Sequence, residues 1–308
     1  MIERYSFVED IFTKGETYDQ GLSLRLNDNS ALRIVRMLSG TCSIKDDFFG
    51  SALKLRHNFL DIPSVKNSRL SKSVFRNCFP EEVTFDDLAS YFRALRNNDE
   101  FYKLIEVELI SCLWARSQGR YLEAFFFLYR LLEGISYSVP LMYISKSRSF
   151  SKSFKALQKS MPSSEKEGEL LFLKKFIDEQ WSYKAFFNVS LDINLAAVEV
   201  EEMRSAYYKK YKGFIPKEGI DTDVEDEILG IRFPYFRDFL INLRNRYFHF
   251  LQGAWQKNIE TGEVLFPDMF FKPIVDPGIN WIAVCLFEVI AFDIENHSRY
   301  AGVWPGRP

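Results

Sequence analysis

The feature that most restricts the fold of this chain is a change of hydrophobic period near Thr84. Thr84 followed by Asp87 has the form of a helix-capping start, and Leu88, Tyr91, Phe92 and Leu95 then recur on one helical face. Asn97-Asn98-Asp99 breaks the pattern. Two longer apolar helices follow, from about Glu100 to Arg116 and from Tyr121 to about Ser138, with only Gln118-Gly119 as the turn between them. Helices joined by so short a turn bury their apolar faces by folding back on one another, so the spacing predicts an antiparallel hairpin. Pro140 interrupts or ends its second arm.

Downstream, Ser and Lys dominate residues 145–168, which read as a surface loop around one short helix. Glu169–Trp181 and Leu195–Tyr211 are further helical stretches, and the acidic run Asp221–Glu227 reads as a solvated linker. Pro234 suits a first helical turn and opens a helix reaching to about Gln252. A turn-rich segment, Phe266–Pro277, precedes a last helix over Asn280–Glu295. Before Thr84 the pattern is mixed. Gly21–Leu26 alternates with period two and meets Asn27-Asp-Asn-Ser30, as a strand meets a turn. Ala31–Leu38 reads as a second strand and Asp46–His57 as a helix. The expected fold is mainly α: a smaller mixed α/β region over residues 1–95, then a helical domain over 96–300 with a helical insertion at about 145–231.

Composition removes most catalytic chemistries. The chain of 308 residues has 30 Phe, 15 Tyr and 5 Trp but only three histidines, His57, His249 and His297. The four cysteines, Cys42, Cys78, Cys112 and Cys285, lack the paired spacing of zinc or redox sites and read as reduced core residues. No Gly-x-Gly-x-x-Gly, Walker, Gly-x-Ser-x-Gly or His-Glu-x-x-His sequence occurs, so dinucleotide, P-loop, esterase and zinc-protease chemistries have no support. No cofactor or metal is expected. The start, Met1-Ile-Glu-Arg-Tyr5, lacks a signal pattern. Tyr121–Ile144 carries three charged residues and Trp281–Phe292 is too short to span, so a cytoplasmic protein without a membrane segment is expected. A formal net charge of −2 argues against bulk binding of polyanions.

One helix concentrates the remaining chemistry. From Phe233 onward, Phe236, Phe239, Leu240, Leu243, Tyr247, Phe250, Leu251 and Ala254 form one apolar stripe. Off the stripe lie Asn245 and His249, four apart and so neighbours on one side, with Arg244 at the stripe's edge. Arg244 and His249 are separated by roughly 140° around an ideal helix. Two copies of the helix, joined in a dimer, would assemble a composite site from them.

The run Arg244-Asn-Arg-Tyr-Phe-His249 resembles the Arg-x4–6-His motif of the HEPN superfamily, in the variant with a polar residue directly after the arginine. The resemblance covers about residues 100–296. It implies an antiparallel helical bundle, with the hairpin at 100–138 and the helices at 233–252 and 280–295 as its four helices. It also implies a metal-independent endoribonuclease, an antiphage defence or toxin effector, whose cleft forms at a homodimer interface. An antitoxin or defence-system protein would then be its partner. By the same resemblance, Glu133 is a further polar residue facing the cleft.

The residue types suit that chemistry. RNA carries its own nucleophile in the 2′-hydroxyl, so neither a metal nor an enzyme nucleophile is required. An unperturbed imidazole has its pKa near neutral pH, and His249 is the candidate general acid–base. Arg244 is the candidate for stabilising phosphate charge, and Asn245 for orienting His249 or donating to phosphate. Arg246 is a candidate grip on the RNA backbone. Two basic runs are candidate RNA contacts. One contains Lys152 and Lys155; the other contains Lys209, Lys210 and Lys212 among Tyr208 and Tyr211, cations beside rings that suit single strands. The competing reading is a non-catalytic helical module that binds RNA or protein, as a subunit of a defence complex.

Overall fold

An asparagine cap, Asn29, starts the first helix. In the computed structural model, which describes residues 4–8, 21–61, 66–67, 75, 78–79, 81–95, 98–146, 149–161, 169–248 and 258–300, the Asn29 side chain accepts the Leu32 N–H at 3.0 Å. That cap starts helix α1 (Ser30–Leu38), where the sequence suggests a second strand at Ala31–Leu38. Eight of its nine residues are buried, and Ala31, Leu32, Ile34, Val35, Met37 and Leu38 belong to the core. The expected strand at Gly21–Leu26 is instead a series of turns. The Asn27 amide ties it down by donating to the carbonyls of Gly21 at 2.7 Å and Phe92 at 3.2 Å.

The segment predicted as a helix at 46–57 is mostly a β-hairpin. Strands β1 (Tyr5–Val8), β2 (Ser43–Asp46) and β3 (Ala52–Lys54) form an antiparallel sheet in that order. Asp46 carries the turn after β2: its Oδ1 accepts the N–H groups of Phe48 and Phe49 at 3.0 and 3.1 Å, and Gly50 adopts φ 67°. An Asp side chain bonding forward to backbone competes with helix formation, and φ > 0 suits Gly. Two short strands, β4 (His57–Asn58) and β5 (Lys66–Asn67), pair separately.

The capping box at Thr84 forms as expected and starts α2 (Phe85–Ala94). Helices α3 (Asp99–Ser117) and α4 (Tyr121–Ser145) make the expected antiparallel hairpin. Its pairing is visible where Arg130 forks onto Glu108 at 2.9 and 2.6 Å, and where the Cys112 thiol meets the Ala124 carbonyl at 3.3 Å. Pro140 lies within α4 rather than at its end; its neighbours Val139, Met142 and Tyr143 are buried, and that packing offsets the lost backbone bond.

The last helix, α9, spans Pro267–Tyr300 and includes both Pro273 and Pro277, so the segment read as turns is helical. Phe270, Phe271, Ile274, Val275 and Ile279 are all buried there, and burial again outweighs the proline penalty. Phe271 packs on Phe125 of α4 with centroids 4.5 Å apart, and a Cβ at Gly278 would overlap Leu128. By length and composition Pro267–Asn296 could cross a membrane, but 83% of its most apolar window is buried inside the protein.

The insertion is mixed rather than helical. It contains α5 (Phe150–Ser160), α6 (Glu169–Gln180) and α7 (Glu201–Lys212), together with an antiparallel sheet of β6 (Ser190–Asn194), β8 (Ile228–Arg232) and β7 (Ile220–Val224), in that spatial order. The acidic run read as a linker is β7 and its hairpin turn, with Asp226 at φ 59°. Strand β8 passes directly into α8 (Phe233–Phe248).

One hydrophobic cluster extends from Leu22 to Ile294, so the N-terminal region and the helices share a core. A buried polar knot joins them as well. The Tyr91 hydroxyl of α2 donates to Asp293 of α9 at 2.9 Å, and Lys146 reaches the same carboxylate at 3.0 Å. Tyr91→Phe removes the donor beside a charged acceptor and is expected to destabilise the protein by about 1.5–3 kcal/mol. Chemical denaturation would check this; a change below about 0.5 kcal/mol would mean that Lys146 alone satisfies Asp293.

Candidate functional site

The apolar stripe of α8 is buried as expected at Phe236, Phe239, Leu240 and Leu243. Its first residue, Phe233, stacks on Trp281 of α9, whose indole N–H donates to the Phe233 carbonyl at 3.0 Å. Tyr247, near the other end, packs on Phe271 at 4.9 Å. These contacts fix the rotation of α8 and thereby which flank carries its polar residues. The stripe positions Phe250, Leu251 and Ala254, and His249 itself, lie outside the described residues.

Arg244 and Asn245 are half-buried on that flank. The Arg244 guanidinium stands 4.9 Å from the ring centroid of Tyr129 on α4, and its Nη1 donates to Asn245 Oδ1 at 3.1 Å. Asn245 therefore orients Arg244. Burial raises the Tyr129 phenol above its ordinary range, Arg244 and Arg237 oppose that rise, and Glu133 adds to it. Tyr129 and Glu133, four apart, lie on one face of α4, and Arg244 meets Tyr129 from α8, so these three groups share one neighbourhood between the two helices. Glu133 is exposed there. Arg237 and Arg244 are seven residues apart, hence on the same face of the helix and about 10 Å apart along it.

Arg237 is buried, donating to the Leu170 carbonyl and to Asp238, and Lys174 meets the same Asp238 carboxylate at 2.8 Å. Burial raises the Asp238 carboxyl, but Arg237 and Lys174 together hold it below the usual range. Asp178 nearby is pushed up by burial. A cleft of about 520 Å³ opens beside these groups at the start of α8, between Lys174, Asp178, Asp221 and Arg232. Sequence reasoning missed this charged group. Arg237-Asp238 lies beside the apolar stripe, where a doublet of charges on a core helix was the available signal.

The other candidates are dispersed. Arg246 points away from Arg244, its guanidinium 5.1 Å from the Phe214 ring, so it does not share the Arg244 neighbourhood. Tyr211 is 0% exposed, with its hydroxyl donated to the Phe270 carbonyl, and offers no stacking face. Tyr208 is also buried, bonded to Asp223 and accepting from Lys212 at 3.0 Å. Positions 207, 208 and 211 follow the inner face of α7, which is why these tyrosines turned inward. Lys212 pairs with Asp223 at 2.6 Å and Lys210 with Glu263 at 2.8 Å, so acidic neighbours offset much of this basic run; Lys209 is exposed.

Lys152 and Lys155 are exposed on α5, beside Phe150 and Phe154, which are 84% and 55% exposed. Those two rings lie nearly parallel, 6.2 Å apart. The aromatic partners of the first basic run are thus these phenylalanines, which the sequence reading passed over because the surrounding Ser and Lys suggested a loop. Among the described residues no three His, Cys, Asp or Glu side chains converge closely enough to hold a metal ion. No protein-family model, no curated protein and no solved structure matches this chain.

Proposed function

We propose that the chain is a metal-independent endoribonuclease of the HEPN type that acts as a homodimer, in antiphage defence or as a toxin. The observation that carries this reading is the neighbourhood of Arg244, Asn245, Tyr129 and Glu133. An arginine oriented by an asparagine stands on an accessible flank of a core-anchored helix, five residues in sequence before a histidine. Rigid elements are what such a site needs, since a guanidinium stabilises an oxyanion best when it is held in place beforehand.

In this mechanism the RNA 2′-hydroxyl attacks the adjacent phosphorus while His249 takes its proton. Arg244 stabilises the charge on the non-bridging oxygens. The bond to the 5′-oxygen breaks, that oxygen takes a proton from water while the His249 imidazolium returns its own to solvent, and the products end in a 2′,3′-cyclic phosphate and a 5′-hydroxyl. The two-fold axis of a dimer would bring Arg244 of one protomer toward His249 of its partner. Lys152 and Lys155, with Phe150 and Phe154, are the basic and aromatic surface suited to holding a single strand.

One observation favours the alternative, a non-catalytic module that binds RNA or protein. The guanidiniums of Arg244 and Arg246 both rest against aromatic rings, a packing role that needs no substrate. Expression of wild type, Arg244→Ala and His249→Ala in a bacterial host separates the two. Growth arrest by the wild type alone supports the ribonuclease; equal growth of all three supports the module.

A further inference from the structure

On the side of α4 opposite Tyr129, a second cavity of about 600 Å³ opens between the N-terminal sheet and the α3–α4 turn. Its volume falls in the range of small-ligand sites. One wall is a ladder of flat groups. Phe49, at the β2–β3 turn, faces the Arg4 guanidinium at 5.5 Å; Arg4 lies 5.0 Å from the Tyr5 ring; and Tyr5 lies 5.7 Å from Trp114. Phe49 ends the ladder with 77% of its surface exposed, an uncovered aromatic face beside a cavity. Gln118 and Ser111 add hydrogen-bonding groups.

Two cations border the cavity from different elements. Arg4 is fixed by Asp46, to which its Nε and Nη2 donate at 2.9 and 2.7 Å. The buried Asp46 carboxylate is further occupied by the Phe48 and Phe49 N–H groups. Arg120 comes from the start of α4 and is bonded to Glu123, both side chains being substantially exposed. Both guanidiniums line the same cavity, and both oppose the rise that burial gives the Tyr5 phenol. An exposed pair three residues apart on a helix contributes little stability, so an incoming anion displaces Glu123 from Arg120 at small cost.

We propose that this cavity binds a mononucleotide, its base stacked on the exposed Phe49 ring and its phosphate on Arg120 in place of Glu123. Stacking on an aromatic face is worth about 1–3 kcal/mol for any base, while the exchange of carboxylate for phosphate gives the site its preference for the phosphorylated form. The site is independent of the ribonuclease chemistry.

Titration calorimetry of the full chain in chelating buffer, with the 5′-monophosphates of adenosine, guanosine, cytidine and uridine, tests this. At least one is expected to bind saturably with Kd below about 1 mM, and its unphosphorylated nucleoside at least about tenfold more weakly. Arg120→Ser should erase that difference and Phe49→Ser should weaken the nucleotide about tenfold; both residues are exposed, so the folded state is retained and thermal melts verify it. Arg244→Ala should leave binding intact, since Phe127 at the cavity and Tyr129 beneath Arg244 point to opposite sides of α4. No binding below about 1 mM, wild-type affinity in Arg120→Ser or Phe49→Ser, or loss of binding in Arg244→Ala would each overturn the assignment.

Discussion

Arg36→Met is expected to lower the free energy of unfolding by about 3 kcal/mol, among the largest losses from a single substitution in this chain. Arg36 is 0% exposed, at the end of α1. Its Nε donates to Thr41 Oγ1 at 2.9 Å, its Nη2 to the Thr41 carbonyl at 2.7 Å and its Nη1 to the Leu22 carbonyl at 3.1 Å. The guanidinium also lies 5.7 Å from the Phe75 ring. It thereby ties the turn after α1 to the segment before it. Methionine fills much of the volume but strands buried carbonyls, and each such group costs about 1–3 kcal/mol. Arg36→Lys should recover little, because one ammonium cannot reach acceptors that diverge around a planar fork. Urea denaturation with an unchanged slope would measure both losses. A shift under about 1 kcal/mol for Arg36→Met would mean that the loop repacks around the missing donor.

The second large effect concerns catalysis. In the proposed chemistry, His249→Ala removes the general acid–base and Arg244→Ala the charge stabilisation, each lowering the cleavage rate by about 10²–10⁴-fold. The composite geometry adds a sharper consequence. Neither variant alone carries a complete site, but in a mixed dimer one Arg244 and one His249 survive across one cleft. Co-refolding the two variants should restore roughly a quarter of wild-type activity, since half the dimers are mixed and each has one of two sites intact. No recovery on mixing would place both residues in a site built by a single protomer.

The helices were legible where the period was long and the caps were local. Thr84 with Asp87 marked α2 correctly, and the Gln118-Gly119 turn gave the α3–α4 hairpin. Proline misled at Pro140, Pro273 and Pro277, because burial of the surrounding Phe, Ile and Val side chains outweighs a penalty that sequence alone would enforce. The N-terminal third was misread for a related reason. Asn29 and Asp46 are small polar residues whose side chains cap a helix in one place and fold a hairpin in the other, and only the surrounding packing decides which. At the candidate site, the stripe of α8 predicted the flank on which Arg244 and Asn245 stand. The inward turn of Tyr208 and Tyr211, the charged doublet Arg237-Asp238 and the cavity beside Arg120 depend on contacts between distant segments, which no local pattern records.

The central proposal is tested most directly by single-turnover cleavage of a labelled RNA in excess chelator, with wild type, Arg244→Ala and His249→Ala compared at equal concentration. Wild type should cut the RNA to products ending in 2′,3′-cyclic phosphate and leave the 2′-deoxy analogue intact, and both variants should be at least about a hundredfold slower. Cleavage that survives in either variant at the wild-type rate, or none by the wild type, would contradict it.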